Sequence, residues 1–127
     1  MNLLGKRALV TGASGGIGQA VVKALQSAGA TVAGVDRFPS DSCDFSIVGD
    51  LTDPGFCDSL PDAAASQLGG LNIVINNAGV IRRGPITQAS DEDYAISFAV
   101  NVEAPFRICR AAIPLLADQG GGAIVNI

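Results

Sequence analysis

The stretch Ala8-Leu9-Val10-Thr11-Gly12-Ala13-Ser14-Gly15-Gly16-Ile17-Gly18 decides the fold of this chain. A short apolar run typical of a strand leads directly into a turn rich in glycine. From Ile17 the apolar residues repeat with the period of one helix face, and Gly29 stands where a glycine commonly ends a helix. The pattern predicts a strand, a turn and a helix, with backbone N–H groups and the positive helix end open to a phosphate.

An acidic residue follows the glycine turn at the spacing typical of turns that bind a dinucleotide. The run Thr31 to Val35 predicts a second strand, and Asp36 comes at its end, 18 residues after Gly18. A carboxylate there accepts hydrogen bonds from ribose hydroxyls and repels a 2′-phosphate, so NAD is favoured over NADP. Arg37 could hold a 2′-phosphate, which keeps NADP as the less favoured alternative. The competing interpretation is a tightly packed glycine turn beside a solvated aspartate.

The rest of the chain continues to alternate between strand and helix patterns. Weaker strand signal covers Phe45–Val48, and Pro61 is expected to split the helix that begins near Pro54. A long helix is expected from its cap at Ser90 to about Leu116. Further strands are expected at 72–76 and 123–127. This alternation predicts an α/β fold, a doubly wound parallel sheet of the Rossmann type that is truncated after the fifth strand.

Composition excludes several other classes of protein. Of the 127 residues, 48% are apolar and 16% charged, which excludes intrinsic disorder. The net charge of −4 argues against a nucleic-acid partner, and no apolar run approaches the length of a membrane span. There is no histidine, which removes histidine-dependent catalysis and most catalytic zinc sites. The three cysteines fit no metal pattern and are interpreted as reduced thiols of a cytoplasmic protein.

Five motifs in order resemble those of the short-chain dehydrogenases/reductases. The glycine turn is similar to that family's TGxxxGIG motif, and residues 76–79 match its NNAG motif. The pair Asp50-Leu51 matches the acidic-apolar pair after the third strand. The segment 101–106 resembles the helix around the family's active-site asparagine, and 123–127 resembles the strand that leads to its catalytic serine. Residues 1–127 are therefore expected to form the incomplete dinucleotide-binding half of such an enzyme.

The resemblance implies a role for each matched position. Asp36 would bind the adenosine ribose, Asp50 would accept from the adenine amino group, and the Leu51 backbone would meet the ring. For Asn101, the implied role is catalytic, through a backbone carbonyl that binds a relay water. Pro105, which has no N–H, would help to free that carbonyl; the alternative is a proline kink for packing. The pyrophosphate ligands would be Gly12, Ser14, Gly16, Ile17 and Gly18, and the residues under the cofactor ribose would be Asn77, Ala78 and Gly79. By itself, 76–79 could also be a plain turn at a strand end.

The family's proton-transfer residues are missing from this sequence. Its chemistry is hydride transfer assisted by a serine, a tyrosine and a lysine four residues after the tyrosine. Tyr94 is the one tyrosine, Phe98 stands four residues later, and both lysines precede it. The implied function is oxidation or reduction of an alcohol or ketone with NAD, with these 127 residues inactive alone. The alternatives are a catalytically incomplete nucleotide-binding or regulatory module, and a packing subunit that binds nothing.

Substrate and assembly are less constrained. The loop at 80–84 is similar to that of family members that oxidise sugar acids and polyols, and Arg82 or Arg83 could bind a carboxylate. The favoured interpretation is that both arginines are solvated loop charges or contact another subunit. Family members are commonly homo-oligomers through the helix that begins at Ser90, and association with a separate C-terminal half is the other partner expected.

Overall fold

The computed structural model describes all 127 residues, and five parallel strands form one sheet in the order β3-β2-β1-β4-β5. Helices on both faces connect the strands, and a π-helical turn, Ala99–Glu103, joins α3 to α4. The elements are β1 Arg7–Thr11, α1 Gly16–Ser27, β2 Thr31–Asp36, β3 Phe45–Val48, α2 Pro54–Leu68, β4 Ile73–Asn76, α3 Asp91–Phe98, α4 Ala104–Asp118 and β5 Ala123–Asn126. This architecture confirms the predicted Rossmann-type α/β fold.

The strand order reverses beside β1. The chain first builds outward from β1 to β2 and β3, and then returns to the opposite side of β1 to build β4 and β5. In open parallel sheets a crevice forms at this reversal, beyond the carboxyl ends of the two strands. The ends of β1 and β4 therefore mark where a ligand site is expected.

Two apolar layers cover the central strands, because successive residues of a strand point to opposite faces. Leu9 and Val74 pack under α2 and α4, whereas their neighbours Val10 and Ile75 pack under α1. Strands β1, β2 and β4 are buried on both faces, which explains their solid apolar runs. None of the helices combines the length and apolar character that a membrane crossing needs.

The prediction that Pro61 splits the second helix is wrong. Helix α2 is continuous over 15 residues, with Pro61 inside it and buried. A proline there removes one backbone hydrogen bond, the one that the Cys57 carbonyl would accept. The flanking residues Leu60 and Ala64 are fully buried in the core against the sheet. Their packing outweighs the local cost, and sequence pattern alone does not report it.

The prediction of one regular helix from Ser90 to Leu116 is also wrong in its middle. Ser90 caps α3 as expected, but the π-helical turn Ala99–Glu103 interrupts the α-helical register before α4 continues to Asp118. There the Ala104 N–H donates to the Ala99 carbonyl, one residue further back than in an α-helix. Pro105 has no N–H for the Asn101 carbonyl, so regular α-helical bonding cannot pass through this point.

Candidate functional site

A cavity of about 690 Å³ opens beyond the carboxyl ends of β1, β2 and β4. Ten of the twelve site residues predicted from the sequence line it: Gly12, Gly16, Ile17, Gly18, Asp36, Asp50, Leu51, Asn77, Ala78 and Gly79. Ser14 and Asn101 do not line it. The fold thus brings the glycine turn and the ends of three strands to one place.

Glycines in the β1–α1 turn serve two different purposes. At Gly12, where φ is +67°, a Cβ would lie 2.9 Å from the Ala78 Cα; at Gly18 it would overlap the Gly12 carbonyl oxygen. Both positions therefore need glycine so that the turn can pack. At Gly16 a Cβ would meet nothing within 4 Å, and the backbone is not left-handed. The space at Gly16 belongs to the cavity, as a cradle for a closely approaching ligand requires.

Helix α1 begins in this turn without a side-chain cap. Its N-cap residue is Gly15, and its first turn has no acidic side chain. By contrast, the Asp53 carboxylate caps α2 and the Ser90 hydroxyl caps α3. The unpaired N–H groups and positive end of a helix favour an anion. This end of the cavity therefore suits a phosphate or pyrophosphate.

Asp36 connects the end of β2 to the glycine turn. Its Oδ2 accepts from the Ser14 backbone N–H at 3.0 Å, and its Oδ1 accepts from the Arg37 N–H at 2.7 Å. The Ser14 hydroxyl donates to the Phe38 carbonyl at 3.3 Å. Ser14 therefore uses its N–H and its hydroxyl inside the protein. An ionised carboxylate has about four acceptor positions, so Asp36 retains capacity toward the cavity.

Residues after β3 form the wall beyond Asp36. The Asp50 Oδ1 accepts from the Thr52 N–H at 2.9 Å and from the Thr52 hydroxyl at 2.8 Å. The backbone hydrogen bond, then the hydroxyl, holds the pKa of Asp50 below its usual range, with Arg37 adding an attractive charge. Asp50 therefore stays an ionised acceptor at neutral pH.

The ends of β1 and β4 are locked together by hydrogen bonds. The buried Thr11 hydroxyl accepts from the N–H groups of Asn77 at 3.1 Å and Ala78 at 3.0 Å. In return, the Asn77 side-chain amide donates to the carbonyls of Thr11 and Gly12. These four bonds fix the segment 77–79 against the glycine turn, which makes it one rigid wall of the cavity.

Asn101 lies behind this wall, in the π-helical turn. Its side chain pairs reciprocally with Val80: Oδ1 accepts from the Val80 N–H and Nδ2 donates to the Val80 carbonyl, both at 2.9 Å. Both polar atoms of the amide thus hold the loop after β4, and the catalytic role implied for Asn101 concerns its backbone carbonyl. A water on that carbonyl, freed by Pro105, stays a prediction.

Eight further residues line the cavity: Arg37 and Arg82 are possible ligands from the sequence, and the other six are not predicted from it. Ile96 and Val100 belong to the α3–π-turn segment, four residues apart, and Val80 follows the NNAG motif directly. Arg82 lines the cavity near its rim, where its Nε lies 3.6 Å from the Asp93 Oδ1 in an exposed ion pair. The remaining additions are Gly15, Arg37, Gly49 and Thr52. Gly15 lies inside the glycine turn, and Gly49, Thr52 and Val80 directly adjoin predicted motifs, which is the signal that could have found them.

Comparisons with known proteins agree on one family. The family model described as short chain dehydrogenase matches residues 6–127. D-threitol dehydrogenase of Mycolicibacterium smegmatis is 34% identical over 97% of this chain and 52% of its own length. L-xylulose reductase of Bos taurus is 39% identical over 100% of this chain and 54% of its own. The chain spans about half the length of the curated relatives it matches.

Solved structures extend the agreement to three dimensions. A putative short-chain alcohol dehydrogenase from Sinorhizobium meliloti aligns with a TM-score of 0.93 and 37% identity, covering 98% of this chain and 54% of that one. A short chain dehydrogenase from Burkholderia cenocepacia, solved in complex with NADP, aligns with a TM-score of 0.85 and 31% identity, covering 99% and 56%.

Proposed function

Because this chain belongs to the short-chain dehydrogenase family, a family of oxidoreductases, we propose that it forms the NAD-binding part of an enzyme that interconverts an alcohol and a ketone. The observation that carries the proposal is Gly16. It is a glycine that the fold does not need, at an uncapped helix start, and it faces the cavity that ten predicted residues share.

Each end of the cavity suits a different part of a dinucleotide. The uncapped start of α1 would hold the pyrophosphate through the turn from Gly12 to Gly18, with Ser14 acting through Asp36 rather than by touching phosphate. Asp36 would accept from the adenosine ribose hydroxyls, and the segment 49–52 would meet the adenine. Asn77, Ala78 and Gly79 would lie beside the ribose of the nicotinamide half.

NAD is preferred over NADP because of the charge at the end of β2. A 2′-phosphate would have to approach the Asp36 carboxylate, which repels it. Arg37 is the opposing charge, and Asp50 already shares its attraction. A guanidinium that already attracts one carboxylate favours a 2′-phosphate less than it would if it were free.

Bound NAD would supply the hydride acceptor, and this chain would supply its position. Asn101 would act on the proton relay through its backbone carbonyl, while its side chain keeps the loop after β4 in place. These 127 residues contain no Tyr-x-x-x-Lys pair. We therefore expect them to bind the dinucleotide and to show no dehydrogenase activity by themselves.

A polyol or sugar is the substrate class we propose. Its support is that two relatives, D-threitol dehydrogenase and L-xylulose reductase, are named for such substrates. A sugar acid is the variant of this class that Arg82 would recognise, since its guanidinium lines the cavity and an exposed ion pair holds it only weakly. Measured in an enzyme that carries this segment together with a Tyr-x-x-x-Lys pair, exchanging Arg82 for Met should then raise the KM for an acidic sugar and leave the KM for a neutral polyol unchanged.

Calorimetric titration with NAD and with NADP tests the proposed cofactor role. We expect saturable one-site binding of NAD and weaker binding of NADP. The variant Gly16→Glu places a negative side chain in the cradle and should abolish both, whereas Ala24→Glu, at an exposed position further along α1 that does not line the cavity, serves as the control. A folded wild-type chain that binds neither dinucleotide would refute the proposal.

A further inference from the structure

The segment Gly49–Thr52 of the cavity wall rests on the first turn of α2. Two contacts from that turn reach it from behind: the Phe56 ring and the Cys57 thiol. A Cβ on Gly49 would overlap the Phe56 ring, so the ring lies flush against the backbone there. The Cys57 thiol donates to the Leu51 carbonyl with a sulfur–oxygen distance of 3.3 Å.

Burial suits the Cys57 thiol to donate a hydrogen bond and makes it a poor nucleophile. The residue is 1% exposed and belongs to the core cluster under β1 and β2, and Leu51 and Phe56 pack against the same cluster. Burial, with the Asp58 charge adding to it, raises the pKa of the thiol to about 11. The sulfur therefore keeps its proton at physiological pH, which makes it a permanent donor and a poor nucleophile.

The wall is also tied to the strand that carries Asp36. The Gly49 N–H donates to the Asp36 carbonyl at 3.0 Å, and the Asp53 N–H donates to the Asp50 carbonyl at 3.1 Å. These bonds fix both ends of the segment. In the middle of the segment, the Leu51 carbonyl is held by the Cys57 thiol. We therefore expect this hydrogen bond to determine the position of the Leu51 backbone in the cavity wall.

We propose that Cys57 is a positioning residue for the adenine end of the dinucleotide, acting through the Leu51 carbonyl and supported by the Phe56 ring. The inference rests on the proposed function, because it assigns adenine to the wall at 49–52. It predicts an effect concentrated in that half of the ligand, since no hydrogen bond runs directly from Cys57 or the wall at 49–52 to the wall at 77–79.

Titration with each half of the dinucleotide distinguishes a local effect on the wall at 49–52 from a general loss of packing. AMP carries the adenine end and nicotinamide mononucleotide the other, and each is titrated calorimetrically against the full chain. Cys57→Val fills the same space without a donor, whereas Cys57→Ser keeps one. For Cys57→Val we expect AMP and NAD to bind about three- to tenfold more weakly and nicotinamide mononucleotide to bind unchanged. Cys57→Ser should stay close to wild type.

The matched control is Leu68→Val, which perturbs the same core cluster from the far end of α2, outside the cavity, and should alter neither half-ligand. If Cys57→Val does not fold, Phe56→Leu asks the same question, because it removes the other support and should weaken AMP selectively. Wild-type AMP affinity in the folded variant, or equal weakening of both half-ligands, would overturn the inference. A wild-type chain that binds neither AMP nor NAD would instead overturn the proposed function, and the inference with it.

Discussion

The exchange of Gly16 for Ala separates what the glycine turn does for folding from what it does for binding. Nothing in the protein lies within 4 Å of the new methyl group, and the backbone at Gly16 is open to alanine. The substitution also places a better helix former at the first residue of α1. Free energy of unfolding should therefore stay the same or rise, by up to about 1 kcal/mol, through the smaller entropy of the unfolded chain.

Binding should change in the opposite direction. The methyl group points into the cavity space that a pyrophosphate would fill, and it separates the phosphate from the N–H groups at the start of α1. Lengthening or losing one charge-assisted hydrogen bond costs about 1.5–3 kcal/mol, which is roughly a 10- to 150-fold weaker NAD affinity. Urea denaturation measures the first effect and calorimetric titration with NAD the second.

Gly18→Ala is the matched comparison, two residues along the same helix. Its Cβ would overlap the Gly12 carbonyl oxygen and lie 3.0 Å from the Ala13 Cα, so backbone must move. Such overpacking costs about 1–3 kcal/mol of stability. The reasoning would be refuted by a Gly16→Ala chain that binds NAD as tightly as wild type, or by a Gly18→Ala chain as stable as wild type.

Three further exchanges test other parts of the site. Asp36→Ser removes the carboxylate that opposes a 2′-phosphate, so the NADP-to-NAD affinity ratio in calorimetry should rise by about tenfold, and an unchanged ratio would contradict the role of Asp36. Asn101→Ala loses both hydrogen bonds to Val80, and the urea midpoint should fall by the equivalent of about 1–2 kcal/mol, whereas an unaltered midpoint would mean that the pairing adds nothing. The pKa of Cys57 is raised from 9.0 to about 11 in the folded state, so the stability that the buried thiol contributes is fully present below pH 9 and is lost as pH rises through 11. The free energy of unfolding should therefore fall by about 2 kcal/mol between pH 9 and pH 11. Cys57→Val should remove that part of the pH dependence, and an unchanged slope in the variant would contradict it.

The sheet could be predicted from the sequence because its signals are local. The apolar run 8–10, the glycine turn and the helical stripe after Ile17 are each visible within a dozen residues, and their order implies parallel pairing. Pro61 shows the limit of such reasoning. Its helix persists because Leu60 and Ala64 are buried against strands distant in sequence, and no local pattern reports that packing.

Part of the candidate site could likewise be predicted from the sequence, and part could not. Backbone positions such as Gly12 and Gly18 follow from sequence, since only glycine fits where two backbones meet. Side-chain roles depend on long-range partners: the Ser14 N–H meets Asp36 across 22 residues, and Asn101 meets Val80 across 21. A motif names such a residue without saying which of its groups is already bonded inside the protein, and the phosphate contact implied for Ser14 stays a prediction.

Hydrogen bonds within this chain join the walls of the cavity to one another. Asp36 receives the Ser14 N–H on its carboxylate and the Gly49 N–H on its carbonyl, so one residue joins the glycine turn to the wall at 49–52. Asn77 joins the same turn to the wall at 77–79. Every wall is thus fixed to another by groups within this chain. These bonds involve no tyrosine or lysine, so the proposed dinucleotide binding would be measurable separately from hydride transfer. Binding constants measured on the variants above therefore report on the cradle directly, independently of any activity.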